Sequence, residues 1–364
     1  MSLTFEHVTL GQRVLFGTGG AAANLAAEVE RLGSRRAMVI AGEFEAAIAK
    51  NITGGIDVAL HYDDVAPHVP IEKATKARAA AAEHGIDLLI CVGGGSTTGL
   101  AKAIALTSRL PIIAVPTTYA GSEATNVWGL TENSRKTTGV DDIVLPATII
   151  YDAALTLSLP VELSVASGLN ALAHCVDSMW APRADPINQA LAAEGIRALA
   201  AGLPLVKNNP NDLPGREQAL YGAYLAAVAF ASAGSGMHHK ICHVLGGAYN
   251  MPHAQTHATV LPYVLAFNAP AAPEAANRMS AAFGTGGRAA TDSGPADAVA
   301  GLNALRAALD APKALKEHGL AEENIPAAVQ LILPAIPPSN PREVTADNLE
   351  QLLRAAYSGA TPGF

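Results

Sequence analysis

An α/β half followed by an all-helical half is the fold class this chain predicts, and three observations point to it. Short, continuous apolar runs alternate with Ala-rich helical stretches up to about residue 155. Beyond that the strand signal fades into long Ala-rich segments of helical character. A glycine turn, Gly93-Gly94-Gly95, follows one apolar run directly and opens a helix. Runs that are apolar throughout, rather than alternating, are strands covered on both faces, and so belong to a parallel sheet with helices on either side. The change in texture predicts domains over 1–155 and 156–364.

In chain order, 36–42 reads as a strand ending in a turn, and 71–84, rich in Ala, Lys, Arg and Glu and closed by Gly85, as a helix. Residues 87–92 read as a second strand, 99–106 as the helix after the glycines, and 111–116 as a third strand. In such sheets ligands sit beyond the carboxyl ends of the strands. Residues 155–160 look like a connector. From Val161 the pattern is helical, with loops marked by Pro204, Pro210, Pro214 and the Gly-rich segment 284–294. The uncharged stretch 219–236 is long enough for a membrane span, but it is mostly Ala, Gly and Ser and reads as a buried helix. A Pro-rich loop over 334–341 precedes a last helix over 345–357.

The chain's 364 residues can bury the cores of two domains. A net charge of −8, with no basic run interleaved with aromatics, argues against a nucleic-acid partner. Cys91, Cys175 and Cys242 are odd in number and lack CxxC spacing, which argues against a disulfide framework and for a reducing cytosol. Residues 1–13 lack a basic segment followed by an apolar one, so no signal peptide is expected and the localisation reads as cytoplasmic.

Two motifs carry chemistry. In Gly93-Gly94-Gly95-Ser96-Thr97-Thr98 the glycines would let the backbone approach a pyrophosphate, the helix N-terminus supplies N–H groups, and the hydroxyls add donors and caps. Thr117 and Thr118 leave the next strand toward the same end of the sheet, and 16–20 (FGTGG) also precedes a helix. The second motif is a concentration of histidine: six of the eleven lie between 174 and 257. Asn170, His174 and Asp177 fall at i, i+4 and i+7 on one helix face. His239 and His243 are four apart on a helix starting near Met237, and His253 and His257 follow a Gly246-Gly247 break. Such a set resembles a metal site lacking its carboxylate, because Asn170 stands where an acidic ligand would be wanted. An amide oxygen is neutral and a poor ligand for a dication, so the expectation from the residues is an active site without a catalytic metal.

With these motifs in view, the chain resembles the iron-containing alcohol dehydrogenase superfamily, and within it the maleylacetate reductases. The resemblance runs from Phe16-Gly17 through 239–257. The superfamily's metal-binding Asp and three His match Asn170, His174, His239 and His253, and His243 matches a further active-site His. Gly99 stands where metal-dependent relatives carry Asp, and 116–125 (PTTYAGSEAT) is close to the maleylacetate reductase form. The resemblance implies a Rossmann-like N-terminal domain and a helical C-terminal domain, the dehydroquinate synthase-like or iron alcohol dehydrogenase-like architecture, and often a homodimer. It also implies a nicotinamide cofactor, NADH with NADPH as the alternative, approached by Thr117, Thr118, Leu130 and Lys136. Glu43, after the 39–41 run, would accept the adenosine ribose hydroxyls. The implied reaction is reduction of the maleylacetate double bond to 3-oxoadipate in bacterial aromatic degradation. His174, His239, His243, His253, Asn170 and Lys240 would serve its small dicarboxylate substrate, with His243 the first choice of acid and His253 close behind. A metal-dependent alcohol or aldehyde oxidoreductase, a dehydroquinate synthase-like lyase and a non-catalytic cofactor-binding protein remain as alternatives.

Overall fold

The apolar runs of the first half become strands. These are β1 (Arg13–Phe16), β2 (Ala37–Ala41), β3 (Val58–Tyr62), β4 (Leu88–Gly93), β5 (Ile112–Pro116), β6 (Val127–Glu132), β7 (Arg135–Val140) and β8 (Thr148–Tyr151). The computed structural model describes residues 4–132, 135–284 and 295–362. Six strands form one parallel sheet in the order β1-β8-β5-β4-β2-β3, and β6 and β7 pair as an antiparallel ribbon. The three strands expected from sequence are its central β2, β4 and β5, buried along their whole length. The strand period of two divides β2 between two cores. Met38 and Ile40 pack with residues of α3 (Ile71–Glu83) and α4 (Gly95–Ser108), whereas Ala37 and Val39 pack with α1 (Ala21–Leu32) and α2 (Ala46–Ile52). The chain runs outward from β2 to β3 on one side and from β4 through β5 on the other. The direction therefore switches between β2 and β4, where such sheets bind ligands.

One knot ties this unit together away from the glycine loop. The Lys102 ammonium, fully buried on α4, lies within hydrogen-bond distance of the Ser122, Thr125 and Val127 carbonyls (2.7, 2.8 and 2.8 Å) and of Thr125 Oγ1 (3.1 Å). Burial pushes its pKa down to about 7, opposed by the buried Glu123 carboxylate, which accepts from the Tyr151 hydroxyl at 2.9 Å.

The second unit is helical: α5 (Val161–Ser178), α6 (Pro186–Asn208), α7 (Leu213–Ala233), α8 (Met237–Tyr249), α9 (His253–Asn268), α10 (Pro273–Phe283), α11 (Pro295–Ala308), α12 (Ile325–Ile332) and α13 (Ala346–Ser358). Pro204 lies inside α6 rather than in a loop. Gly246 and Gly247 lie within α8, and the break falls instead at Asn250, in the left-handed region at φ 53°. Pro262 lies within α9 and leaves the Ala258 carbonyl without its helical donor, and the Arg306 guanidinium of α11 donates to it instead. The segment 285–294, part of the expected Gly-rich loop, lies outside the described residues. The uncharged stretch belongs to α7 up to Ala233, its helix largely buried. Among the described residues no single helix is long and apolar enough to cross a membrane; α7 and α8 pass only as a pair bent by 97°.

The compact units are Leu10–Pro160 and Met1–Thr9 with Val161–Phe364. The second of these begins its helical part at Val161, shortly after a 3-10 turn over 153–158 capped by Asp152. The N-terminal segment joins the helical unit through His7 Nδ1, 2.9 Å from Asp185 Oδ2.

Candidate active site

In the first unit the glycine loop is built for close approach. Gly93 has φ 150°, and a Cβ there would lie 2.5 Å from Thr97 Oγ1; one on Gly94 would lie 2.9 Å from Thr118 Cγ2. The loop is held against the next strand by the Thr117 N–H, which donates to the Gly93 carbonyl at 3.1 Å. α4 starts at Gly95 rather than near Gly99, with Gly94 as an N-cap that offers no side-chain hydrogen bond. Ser96, Thr97 and Thr98 therefore stand inside the first turn and do not cap it. With no side chain capping that turn, its N–H dipoles suit a phosphate. Thr117 is buried with its Oγ1 unpartnered, while Thr118 Oγ1 accepts from the Ala120 N–H at 3.4 Å.

The other glycine segment, 16–20, is different. Asp152 accepts the N–H groups of Gly19 (2.8 Å) and Ala21 (3.1 Å), so a carboxylate already occupies the start of α1 and no phosphate is called for. Glu43 follows β2 by two residues and is exposed. Leu130 lies on β6 opposite Thr137, and Lys136 on β7 opposite Thr131. The Lys136 side chain lies outside the described residues.

In the helical unit, α5 carries Asn170, His174 and Asp177, all buried. Asp177 is the hub, and it closes the start of α8. It accepts backbone N–H bonds from Gly236 (3.1 Å), His238 (3.3 Å) and His239 (3.1 Å), and the His239 Nδ1–H at 2.7 Å. Burial pushes its carboxyl up to about 7, while those N–H groups and Lys240 pull it back. Because Nδ1 of His239 donates to a carboxylate, its Nε2 is left as a bare lone pair.

That Nε2 is buried without a hydrogen-bond partner, as are His174 Nδ1 and Asn170 Oδ1. The His174 ring stacks on His239 at 4.8 Å and 18°, and Phe230 of α7 lies 4.7 and 4.3 Å from the two. Burial holds His174 down to about 4 and His239 well below the usual imidazole range, which favours the neutral form of both rings. His243 is half-buried, 5.9 Å ring to ring from His239. His253 is exposed at the start of α9, 4.3 Å from the His257 ring, and Lys240 is half-buried. The cluster thus grades from buried at His174 and His239 to open at His253.

Sequence reasoning named Asn170, His174, His239, His243 and His253, and the fold joins α5, α8 and α9 around them. It gave Asp177 no task and overlooked Phe230. The signal for Asp177 was present, since it lies one turn after His174 on the Asn170 face. Phe230 carried none, being one apolar residue in an apolar helix.

Two family models match: iron-containing alcohol dehydrogenase over residues 11–153, and the C-terminal model of the iron-containing alcohol dehydrogenase family over 164–357. They correct the expectation that no metal is held, since an iron-type cofactor belongs to this family. The structure accommodates the correction. Losing the carboxylate at Asn170 removes one charge from the donor set, but neutral imidazoles with unpartnered buried nitrogens remain, one of them oriented by Asp177. Over 99% of each chain, the protein is 43% identical to the maleylacetate reductase of Sphingobium indicum. An iron-containing alcohol dehydrogenase from Corynebacterium glutamicum has the same fold with a TM-score of 0.95 at 62% identity, over 100% of this chain and 99% of that one. Maleylacetate reductase from Agrobacterium tumefaciens superposes with a TM-score of 0.91 at 38% identity, over 99% and 100%. The chain belongs to the iron-containing alcohol dehydrogenase family, in the company of its maleylacetate reductases.

Proposed function

We infer that this protein is a maleylacetate reductase, an NAD(P)H-dependent oxidoreductase that saturates the carbon–carbon double bond of maleylacetate to give 3-oxoadipate. Full-length similarity to enzymes of that name supports the reading, and the observation that carries it into chemistry is the buried imidazole pair with bare nitrogens beside Asp177. Gly93, Gly94 and Gly95, with Ser96, Thr97 and Thr98 in the first turn of α4, receive the cofactor pyrophosphate. Thr117, Thr118 and Leu130 line the nicotinamide end, and Glu43 takes the adenosine ribose. His174, His239 and His253 would hold an iron-type ion, with the neutral Asn170 oxygen beside them. When bound, the nicotinamide supplies the hydride and the ion supplies Lewis acidity toward the substrate ketone.

The chain's own residues do the rest. Reduction of an alkene conjugated to a ketone places negative charge on the ketone oxygen and leaves one carbon to be protonated. His243, half-buried and next to His239, holds the proton and delivers it to that carbon. Lys240, on the same helix, offers positive charge to a substrate carboxylate. Asp177 holds His239 in the tautomer that keeps its Nε2 bare, and Phe230 packs water away from both buried rings. A homodimer in the cytoplasm completes the reading, and light scattering reports the first part of it.

The test is cofactor oxidation by the iron-loaded protein with maleylacetate, and in parallel with simple primary alcohols and aldehydes. Turnover with maleylacetate and little with the alcohols supports the reading. The reverse preference would establish the second one, a metal-dependent alcohol oxidoreductase, which the 62% identical structure of that name favours.

A further inference from the structure

Helix α8 carries a second row of donors that the reaction does not use. His238 and Cys242 are four residues apart and share a face of the helix, about 100° round from the row of His239 and His243. His257, one turn into α9, brings its Nδ1 to 3.0 Å from His238 Nε2, and Cys242 Sγ stands 3.7 Å from the same nitrogen. The three donor atoms lie within 4.8 Å of one another, and all three residues are buried. The outer nitrogens, His238 Nδ1 and His257 Nε2, have no hydrogen-bond partner. Each ring can therefore carry its proton outside and turn a lone pair inward.

Two imidazoles and a thiolate are the donor set of a borderline or soft d10 cation, with bonds of about 2.0–2.1 Å to nitrogen and about 2.3 Å to sulfur. The observed nitrogen–nitrogen and sulfur–nitrogen separations are close to those such bonds span around one ion. We propose that His238, Cys242 and His257 form a second metal site, for a thiophilic cation such as Zn2+, Cd2+ or Cu+, and that filling it inhibits the enzyme. As the metal–sulfur bond forms, the Cys242 thiol gives its proton to solvent, and the proton shared by the two rings moves to an outer nitrogen. Inhibition follows from contact: the His257 and His238 rings lie 4.8 and 5.3 Å from His239. A cation there sets positive charge against the imidazole whose bare nitrogen serves catalysis. The inhibitory half rests on the role given to His239 above; the site itself does not.

Iron-loaded protein is titrated with cadmium alone, following the ultraviolet thiolate-to-cadmium charge-transfer band without substrate and, separately, the initial rate. One cadmium per chain and a rate that falls with the same midpoint are expected. Cys242→Ser keeps its uninhibited rate, loses the band and withstands cadmium, whereas Cys175→Ser retains both responses. His257→Gln keeps the thiol but shifts the midpoint at least tenfold upward, with circular dichroism reporting the fold. A band that survives in Cys242→Ser, is missing from the unsubstituted protein, or has the same midpoint in His257→Gln overturns the site. A stoichiometric band with an undiminished rate overturns the inhibition. Failure of untreated protein to turn over maleylacetate counts against the proposed function alone, because the band is read without it.

Discussion

Lys102 and His239 are both buried polar side chains, at 0% and 2% exposure, but their polar atoms meet opposite surroundings. Every direction from the Lys102 ammonium ends on an oxygen, four in all at 2.7–3.1 Å. His239 is satisfied on one side only: Nδ1 is bound to Asp177, while its Nε2, like His174 Nδ1 and Asn170 Oδ1, has no partner. An unsatisfied buried polar atom costs about 1–3 kcal/mol, so folds rarely keep several together without a ligand to meet them. The saturated cluster ties the fold together, and the unsaturated one is where the proposed metal role falls. That separation is open to attack from both sides.

The largest effect is expected at His239. His239→Ala removes the oriented nitrogen, and kcat should fall by more than about a hundredfold, beyond the roughly 10–100-fold typical of losing a residue that only orients a metal ligand. Steady-state kinetics together with metal analysis of the same preparation check this. Lys102→Met should do the opposite: it strands the Ser122, Thr125 and Val127 oxygens and costs about 3 kcal/mol or more of stability. Denaturant titration would show that loss, with kcat per folded molecule within a factor of about two of the parent. A catalytic collapse in Lys102→Met at intact stability would erase the distinction.

Asp177→Asn is the intermediate case. The amide can still accept the α8 N–H groups but no longer fixes the His239 tautomer, so metal retention should weaken by about 10–100-fold while the fold survives. Competition against a chromogenic chelator measures it. Smaller still, Asn170→Asp restores a negative oxygen beside the bare nitrogens and should tighten the metal by about tenfold. Gly94→Ala, whose Cβ would lie 2.9 Å from Thr118 Cγ2, should raise the cofactor KM by about tenfold with metal content unchanged.

How much of this the sequence disclosed depended on burial and on run length, since β8 is buried throughout but is only four residues long and opens on Thr148. β2, β4 and β5 announced themselves because strands buried on both faces are apolar at every residue. β1 and β3 lie at the sheet edges with mixed exposure and left no such run. Glycine misled where it usually punctuates: Gly246-Gly247 sits inside α8, and the turn was made by Asn250 in the left-handed region. For the candidate site, the i, i+4 spacing on single helices pointed to His174, His239 and His243. The tie between Asp177 and His239 joins residues far apart in sequence, and no local pattern encodes it. The metal was misjudged for the same reason. Asn170 was legible as a missing charge, but the unpartnered nitrogens of His174 and His239 show only in three dimensions.

The central claim is that the unsatisfied buried nitrogens hold an iron-type ion on which maleylacetate reduction depends. Its most direct test is to measure metal content and maleylacetate-dependent NADH oxidation on one preparation, before and after exhaustive chelation and again after adding iron back. About one ion per chain, activity lost with the metal and recovered with iron, is the predicted result. Undiminished turnover by protein verified to be free of metal would contradict it.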